Sequence, residues 1–429
     1  MKPADGETTS MADTPPGNDN PTGPLLPWAS FRYRDFSLLF ATSLFVTMAH
    51  QMRQTQNLYH VYELSGSAFQ LGLTGLAQGI PLFAIGIFAG TLADFIDRRK
   101  LLFLTTAANF FVAVILGLLT IAGTIEVWHI LVGTALTSGV NIVLNPTRQA
   151  IVSGLVPRSH ITNAVSLNSS ISQGSHFIGP MLAGLSFAFM DAGSAYLVNA
   201  LFYLPAAIGI FLLKVPRIPD HVKETFSLKS LLGGVRFLIG QRTVLTLVLL
   251  DFAIVGVGYY RPLLPVFAKD IFKVGPAGFG LLASAPAVGG TVATLALLLA
   301  RHVERKGLLA LWAFLLFSVG LGLFAASQNF WVALVLVGGL GLTNALQAVM
   351  RQTAFHLLTP DHVRGRAFSI FNMFSQGANS VGAMVVGFTA ALIGAPGALL
   401  IGSVVGIILT LAVWTAWPGL RQFRAGGAA

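Results

Sequence analysis

The chain has no cysteine among its 429 residues, which excludes disulfides, thiolate metal sites and cysteine nucleophiles. It is also poor in charge. Asp, Glu, Lys and Arg make up 10% of the residues, against roughly 25% in soluble globular proteins, and the mean hydropathy is +0.74. That combination excludes an ordinary soluble enzyme. No GKS or GKT phosphate-binding loop is present, which argues against ATP hydrolysis by this chain. No nucleophile–base or zinc-ligand constellation supports an intramembrane hydrolase, so the expectation is a protein that is not an enzyme and carries no metal or cofactor. Carboxylates are scarcer than bases, 16 against 26, for a net charge of +10. The bases are scattered rather than gathered on one segment, which removes nucleic acid as a partner.

What is abundant is apolar and small: 54% hydrophobic residues, 46 Gly and 32 Phe, as in polytopic membrane proteins packed through small residues. Twelve apolar stretches have spanning length, about 20 residues each. They lie at 36–59, 71–93, 101–121, 127–149, 163–188, 193–213, 244–265, 276–300, 308–326, 330–352, 366–391 and 396–417. With both termini in the cytoplasm, twenty of the 26 Lys/Arg fall in inside segments, and only Lys269 and Lys273 fall outside. This is the positive-inside pattern, and it explains the net charge as topology. Residues 1–30 are polar and poor in apolar surface, the composition of a disordered tail, and show no cleavable signal peptide.

The longest connection between spans, 214–243, is basic and contains Pro216 and Pro219. Its 226–240 part reads either as an amphipathic helix lying in the membrane interface or as a polar hinge. It divides the chain into a six-helix bundle at 31–213 and a second at 244–420, followed by a tail at 421–429. The two halves share a pattern at a constant offset of 203 residues: Arg148 with Arg351, Pro157 with Pro360, Ser172-Gln173-Gly174 with Ser375-Gln376-Gly377, Gly179 with Gly382, and Gly184 with Gly387. A parallel repeat of two pseudo-symmetric bundles follows, all α-helical, with a cavity between them and rocking as the motion.

At the end of the second span and beyond it comes Gly90-Thr91-Leu92-Ala93-Asp94-Phe95-Ile96-Asp97-Arg98-Arg99-Lys100, and the fourth span ends in Asn145-Pro146-Thr147-Arg148-Gln149. On these residues the chain resembles the major facilitator superfamily over about 31–420, and within it the enterobactin-exporter-type and bacterial drug-efflux branch. Gly90, Asp94, Arg98 and Arg99 fit the superfamily loop, whereas Phe95 and Asp97 depart from it. The resemblance implies a cytoplasmic gate in which Asp94 pairs across the halves; the bland alternative is a charged turn. It also implies that Gly179 and Pro180 belong to a packing or gating motif in the fifth span, although the spacing there departs from the antiporter pattern.

Ionisable residues inside spans are functional candidates by default. Asp251 is the carboxylate placed inside the hydrocarbon region, either a proton carrier or a structural partner of a buried base. His50 is a second proton candidate. His50, Arg53, Gln54 and Asn57 share one face of the first span, as a cavity wall for a polar or anionic ligand or as a wet face leaving the membrane. Arg148 and Arg351 sit at equivalent places and suggest a shared structural task. Tyr259, Tyr260 and Arg261 lie near the external end of the seventh span, as ligand contact, gate or snorkelling group. Gln173, Gln376 and Asn379 are inward hydrogen-bonding candidates, with interhelical bonding as the alternative.

The expected function is export of a small amphipathic, drug-like or siderophore-like molecule by alternating access, with protons as the coupling ion and membrane lipids as surroundings. Import or facilitated diffusion, a lysophospholipid flippase, and a membrane receptor or scaffold stand as alternatives. The expected setting is a bacterial inner membrane, with one chain containing the complete cavity.

Overall fold

The computed structural model describes residues 26, 28–86, 97–213, 236, 240–300 and 305–422. The polar tail, Gly90 and Asp94 of the loop, and most of the 214–243 connection, including its amphipathic part, lie outside the described residues.

The described chain is helical throughout. The first half comprises α1 (Arg34–Ser65), α2 (Ala68–Ile85), α3 (Arg98–Ile121), α4 (Val127–Leu155), α5 (Ile161–Phe189) and α6 (Ala192–Leu201, resumed after Phe202 as Tyr203–Leu212). The second comprises α7 (Arg242–Gly258), α8 (Gly275–Leu299), α9 (Lys306–Ala326), α10 (Phe330–Leu358) and a helical run over Asp361–Ala416. Within that run Gly394 has φ 81° and ψ 159°, a conformation open to glycine and not to other residues. It separates α11 (361–393) from α12 (395–416).

Nine helical stretches among the described residues are long and apolar enough to cross a membrane, one of which contains both α11 and α12. The helices missing from that set are α1 and α5. Both carry polar residues along their middle turns, which lowers their hydropathy; those of α1 face the interior, with Arg53, Gln56, Asn57 and His60 all buried, whereas Ser169, Ser170 and Gln173 of α5 are exposed. Elsewhere the apolar residues point outward as lipid-facing surface, for example Phe189, Val335, Leu298 and Leu299, each at least 73% exposed.

Helix ends follow local chemistry. Asp97 caps α3 by accepting from the backbone N–H groups of Arg99 and Lys100 at 3.0 and 3.1 Å, which accounts for a carboxylate where the superfamily loop has glycine. Asp191 caps α6, accepting from the Ser194 backbone N–H and hydroxyl at 2.9 and 2.8 Å. Those bonds hold its carboxyl below the usual carboxylate range. α1 ends at Gly66 with φ 59°, a left-handed glycine stop.

Each half has its own core, one around Phe36, Leu39, Leu102 and Tyr203 and one around Phe267, Phe279, Phe314 and Phe324. The halves meet along two helix pairs, α2 with α11 and α5 with α8. Both pairs close through glycines. A Cβ on Gly387 would lie 2.5 Å from the Cα of Gly72, and one on Gly184 would lie 2.6 Å from the Cα of Gly280. Gly184 and Gly387 are repeat equivalents, so the two seams are related by the pseudo-symmetry. Both lie toward the distal end of the bundle, the end predicted to face outward. The other repeated pair, Gly179 and Gly382, works inside each half: Gly179 admits α1 at Gln51 and Met52, and Gly382 admits α7 at Val255 and Tyr259.

Candidate functional site

The site begins with a break in α7. Pro262 and Pro265 each lack the N–H that would continue the ladder, and their rings crowd the carbonyls four residues earlier. The helix therefore stops at Gly258, passes through Tyr259 and Tyr260 without helical bonding, and resumes as irregular turns over Arg261–Ile271. This places half-buried Arg261 on the wall of a cavity between the halves.

That cavity holds about 80 Å³, several waters' worth of space. Its polar wall brings Gln51 and Gln54 of α1 and Gln78 of α2 opposite Arg261, Tyr259 and Asn379. Its apolar wall is Leu58, Leu264 and Phe279. A second, smaller cavity of about 10 Å³ adjoins it, sharing Gln54, Leu58, Thr74 and Gln78, and reaches His50, Arg53 and Asn57.

Around the smaller cavity runs a hydrogen-bonded network within the first half. Arg53, 2% exposed, donates from Nη2 to Asn109 Oδ1 at 2.9 Å. His50 lies 3.0 Å from Gln54 Nε2 and 3.3 Å from Asn141 Nδ2. Asn57 donates to Thr134 at 2.9 Å and accepts from the Tyr196 hydroxyl at 3.0 Å. Gln51 bonds His176 of α5. The polar face of α1 is thus inside the bundle, and the alternative of a segment already leaving the membrane falls away. Arg53 Nη1 is buried with no hydrogen-bond partner.

Asp251 is 5% exposed and forms an ion pair with Arg351 of α10, whose guanidinium also lies 5.6 Å from the Phe371 ring centre. In the other half the repeat equivalent, Arg148, donates to Thr47 of α1 at 2.9 Å. Both arginines bind the first helix of their own half, but only the second finds a carboxylate there.

At the distal end the halves are joined by a hydrogen bond from the Tyr62 hydroxyl to Asp270, with Lys269 5.8 Å from the Tyr62 ring centre. Just inside, Tyr59 meets Phe279 of the opposite half at 5.3 Å and Phe187 of its own at 5.5 Å.

Of the residues singled out from sequence, Gln54, Tyr259, Arg261 and Asn379 share the central cavity, and His50, Arg53 and Asn57 line its annex. Tyr260 instead packs among Phe317 and Phe324 in the second core. Gln173 and Gln376 are exposed and line neither cavity. Gly179 and Pro180 lie on the packed face of α5, with Pro180 also bordering the cavity. Arg99 reaches within its own half, donating to the Ile210 carbonyl at 3.1 Å and to that of Phe211, and Arg98 begins α3. Gln51 belongs to the same polar run of the first span as His50, Arg53, Gln54 and Asn57, whereas Gln78 and the Tyr62–Asp270 contact carry no such local signal in the sequence.

Residues 25–424 match the family described as transmembrane secretion effector. The chain belongs to that family. It is a secondary transporter of small molecules, working by alternating access on the major facilitator fold and related to the exporter branch. Among curated relatives, the staphyloferrin A transporter of Staphylococcus aureus is 26% identical over 360 residues, 83% of this chain and 89% of that protein. The enterobactin exporter of Shigella boydii is 27% identical over 377 residues, 84% of this chain and 86% of that protein. A solved nucleoside transporter superposes with a TM-score of 0.70 at 14% identity, covering 90% of this chain and 99% of the other, which speaks to the fold alone. The protein is thus a multi-pass membrane protein, and among the described residues no cluster of three or more His, Asp or Glu is arranged to hold a metal.

Proposed function

We propose that this transporter exports a siderophore-like small amphipathic molecule from the cytoplasm, driven by proton entry, with a single chain as the working unit. Both termini are cytoplasmic in a bacterial inner membrane. The halves 31–213 and 244–420 are the moving bodies, joined by the 214–243 connection. The observation that carries the reading is a cavity between two pseudo-symmetric halves whose lining combines Arg261, Gln54 and Asn379 with Phe279 and Leu58, a surface suited to a solute with polar and apolar parts. Two relatives named for siderophore transport and export support the direction and the substrate class.

Proton coupling is assigned to Asp251. It is the one carboxylate buried within the membrane-spanning part among the described residues, and its partner Arg351 belongs to a different helix. Protonating the carboxylate removes half of the ion pair and frees Arg351 and α10 from α7, so proton occupancy and helix arrangement are linked. Asp94, Arg98 and Arg99 are assigned to the cytoplasmic gate.

Purified protein in oriented proteoliposomes, with a pH gradient imposed or collapsed, tests this reading with a panel of siderophore-class solutes. Gradient-dependent movement out of the cytoplasmic side supports export by antiport. Equal rates with the gradient collapsed would establish facilitation and remove Asp251 as the proton carrier.

A further inference from the structure

The charge of the cavity bears on which molecules are carried. Neither the central cavity nor its annex has Asp or Glu on its wall, yet each has an arginine. No carboxylate pairs with Arg53 or Arg261 among the described residues; Arg261 stands beside Tyr259 and Tyr260, and the buried ion pair of Asp251 with Arg351 lies elsewhere. Unpaired guanidinium groups inside a membrane are costly and are retained where they act on something. Arg53 is the sharper case. It is almost completely buried, Asn109 takes one end of the guanidinium, and Nη1 is left with no acceptor.

The two arginines come from opposite halves, on α1 and after α7, and the wall between their cavities consists of Gln54, Gln78, Thr74 and Leu58. Glutamine amides can relay a hydrogen bond or turn aside, so this wall is a partition of hydrogen-bonding groups rather than a packed barrier. An anion entering beside Arg261 meets a second positive charge behind that partition. A cation meets two like charges with no carboxylate to offset them.

We propose that the central cavity is a selective site for organic anions. In it Arg261 makes the direct contact with an oxyanion of the solute, Arg53 supplies the second positive charge from the opposite half, and lipophilic cations of the same size are rejected. Phe279 and Leu58 take the apolar part of the solute. Because the arginines stand on different halves, a bound anion also bridges them. The proposal rests on the transport reading for its biological meaning, but it makes a claim about binding that stands or falls separately.

The cavity in this structure holds only several waters' worth of space, so a solute occupies it in a state in which the halves have parted. The test is equilibrium binding to purified full-length protein of two dyes on one xanthene scaffold, carboxyfluorescein as the anion and a rhodamine ester as the cation. The expected result is saturable binding of the anion, with the cation at least about tenfold weaker. Arg261→Gln should weaken the anion about ten- to hundredfold, the range set by a hydrogen bond to a charged group, while Arg261→Lys recovers part of the loss and all three proteins show the same thermal unfolding. Arg53→Gln should weaken the anion less and narrow the preference between the dyes. The cation binding as tightly as the anion, or Arg261→Gln leaving anion affinity unchanged, would overturn the proposal. Anion binding that responds to Arg261 in a protein that moves no solute in proteoliposomes would leave the site standing and remove the export reading.

Discussion

At the scale of single residues, the membrane makes every buried charge a question with a structural answer. Asp251 and Arg351 answer each other. Removing one partner of a buried pair leaves the other uncompensated, and the usual cost is about 3–5 kcal/mol. Asp251→Asn is therefore expected to lower thermal stability markedly and to flatten the dependence of transport on the pH gradient. The double variant Asp251→Asn, Arg351→Gln should recover much of the stability without recovering the coupling. A double variant with normal pH-dependent transport would assign the pair to structure alone. Arg148 gives the comparison, since its partner is the Thr47 hydroxyl. Replacing Thr47 with Val should cost about 1–3 kcal/mol, the desolvation of one unmet donor, and leave coupling intact. Thermal unfolding and transport measured on the same preparation separate the two outcomes.

At the scale of helices, the distal closure rests on features of two kinds. The Gly72–Gly387 and Gly184–Gly280 approaches are steric, and a Cβ at Gly184 would come within 2.6 Å of backbone. Gly184→Val should keep α5 and α8 apart at that end and shift the population toward the distally open state. The chain's lack of cysteine makes this measurable without background: a cysteine at Tyr59 should become more reactive to a membrane-impermeant thiol reagent in the Gly184→Val variant. Unchanged reactivity would mean that the seam yields without opening. The Tyr62–Asp270 bond is chemical. Tyr62→Phe removes it while keeping the ring, and an increase of the same labelling is expected, since a hydrogen bond to a charged group contributes about 1.5–3 kcal/mol.

These elements also show what was legible in the chain. Gly179 with Gly382 and Gly184 with Gly387 stand out as identities at one offset, because the same packing problem is solved twice, once within each half and once between halves. The polar face of α1 is visible from the three- and four-residue spacing of His50, Arg53, Gln54 and Asn57. The partner of each group is not. Asp251 and Arg351 are a hundred positions apart, and Tyr62 and Asp270 belong to different halves, so no local periodicity links them. Pro262 and Pro265 interrupt the span read as continuous over 244–265, and the consequence, Arg261 on the cavity wall, depends on how that helix sits against α1 and α11. Gln173 and Gln376 share a repeat position and polar character, and both are exposed, away from the two cavities.

At the scale of the whole molecule, alternating access requires two rigid halves whose distal seams open as the proximal end closes. In this structure the distal end is sealed by both glycine seams and the Tyr62–Asp270 bond, while Gly174, on the proximal half of α5, faces open space. The most direct measurement places nitroxide labels at Met190 and Ala277, exposed residues at the distal ends of α5 and α8, and records the distance between them by pulsed electron spin resonance as pH and an anionic solute are varied. Two resolved distances are expected, whose populations exchange with these conditions, the shorter matching this structure and the longer enriched by Gly184→Val. A single distance under every condition, in protein that still transports, would contradict that expectation.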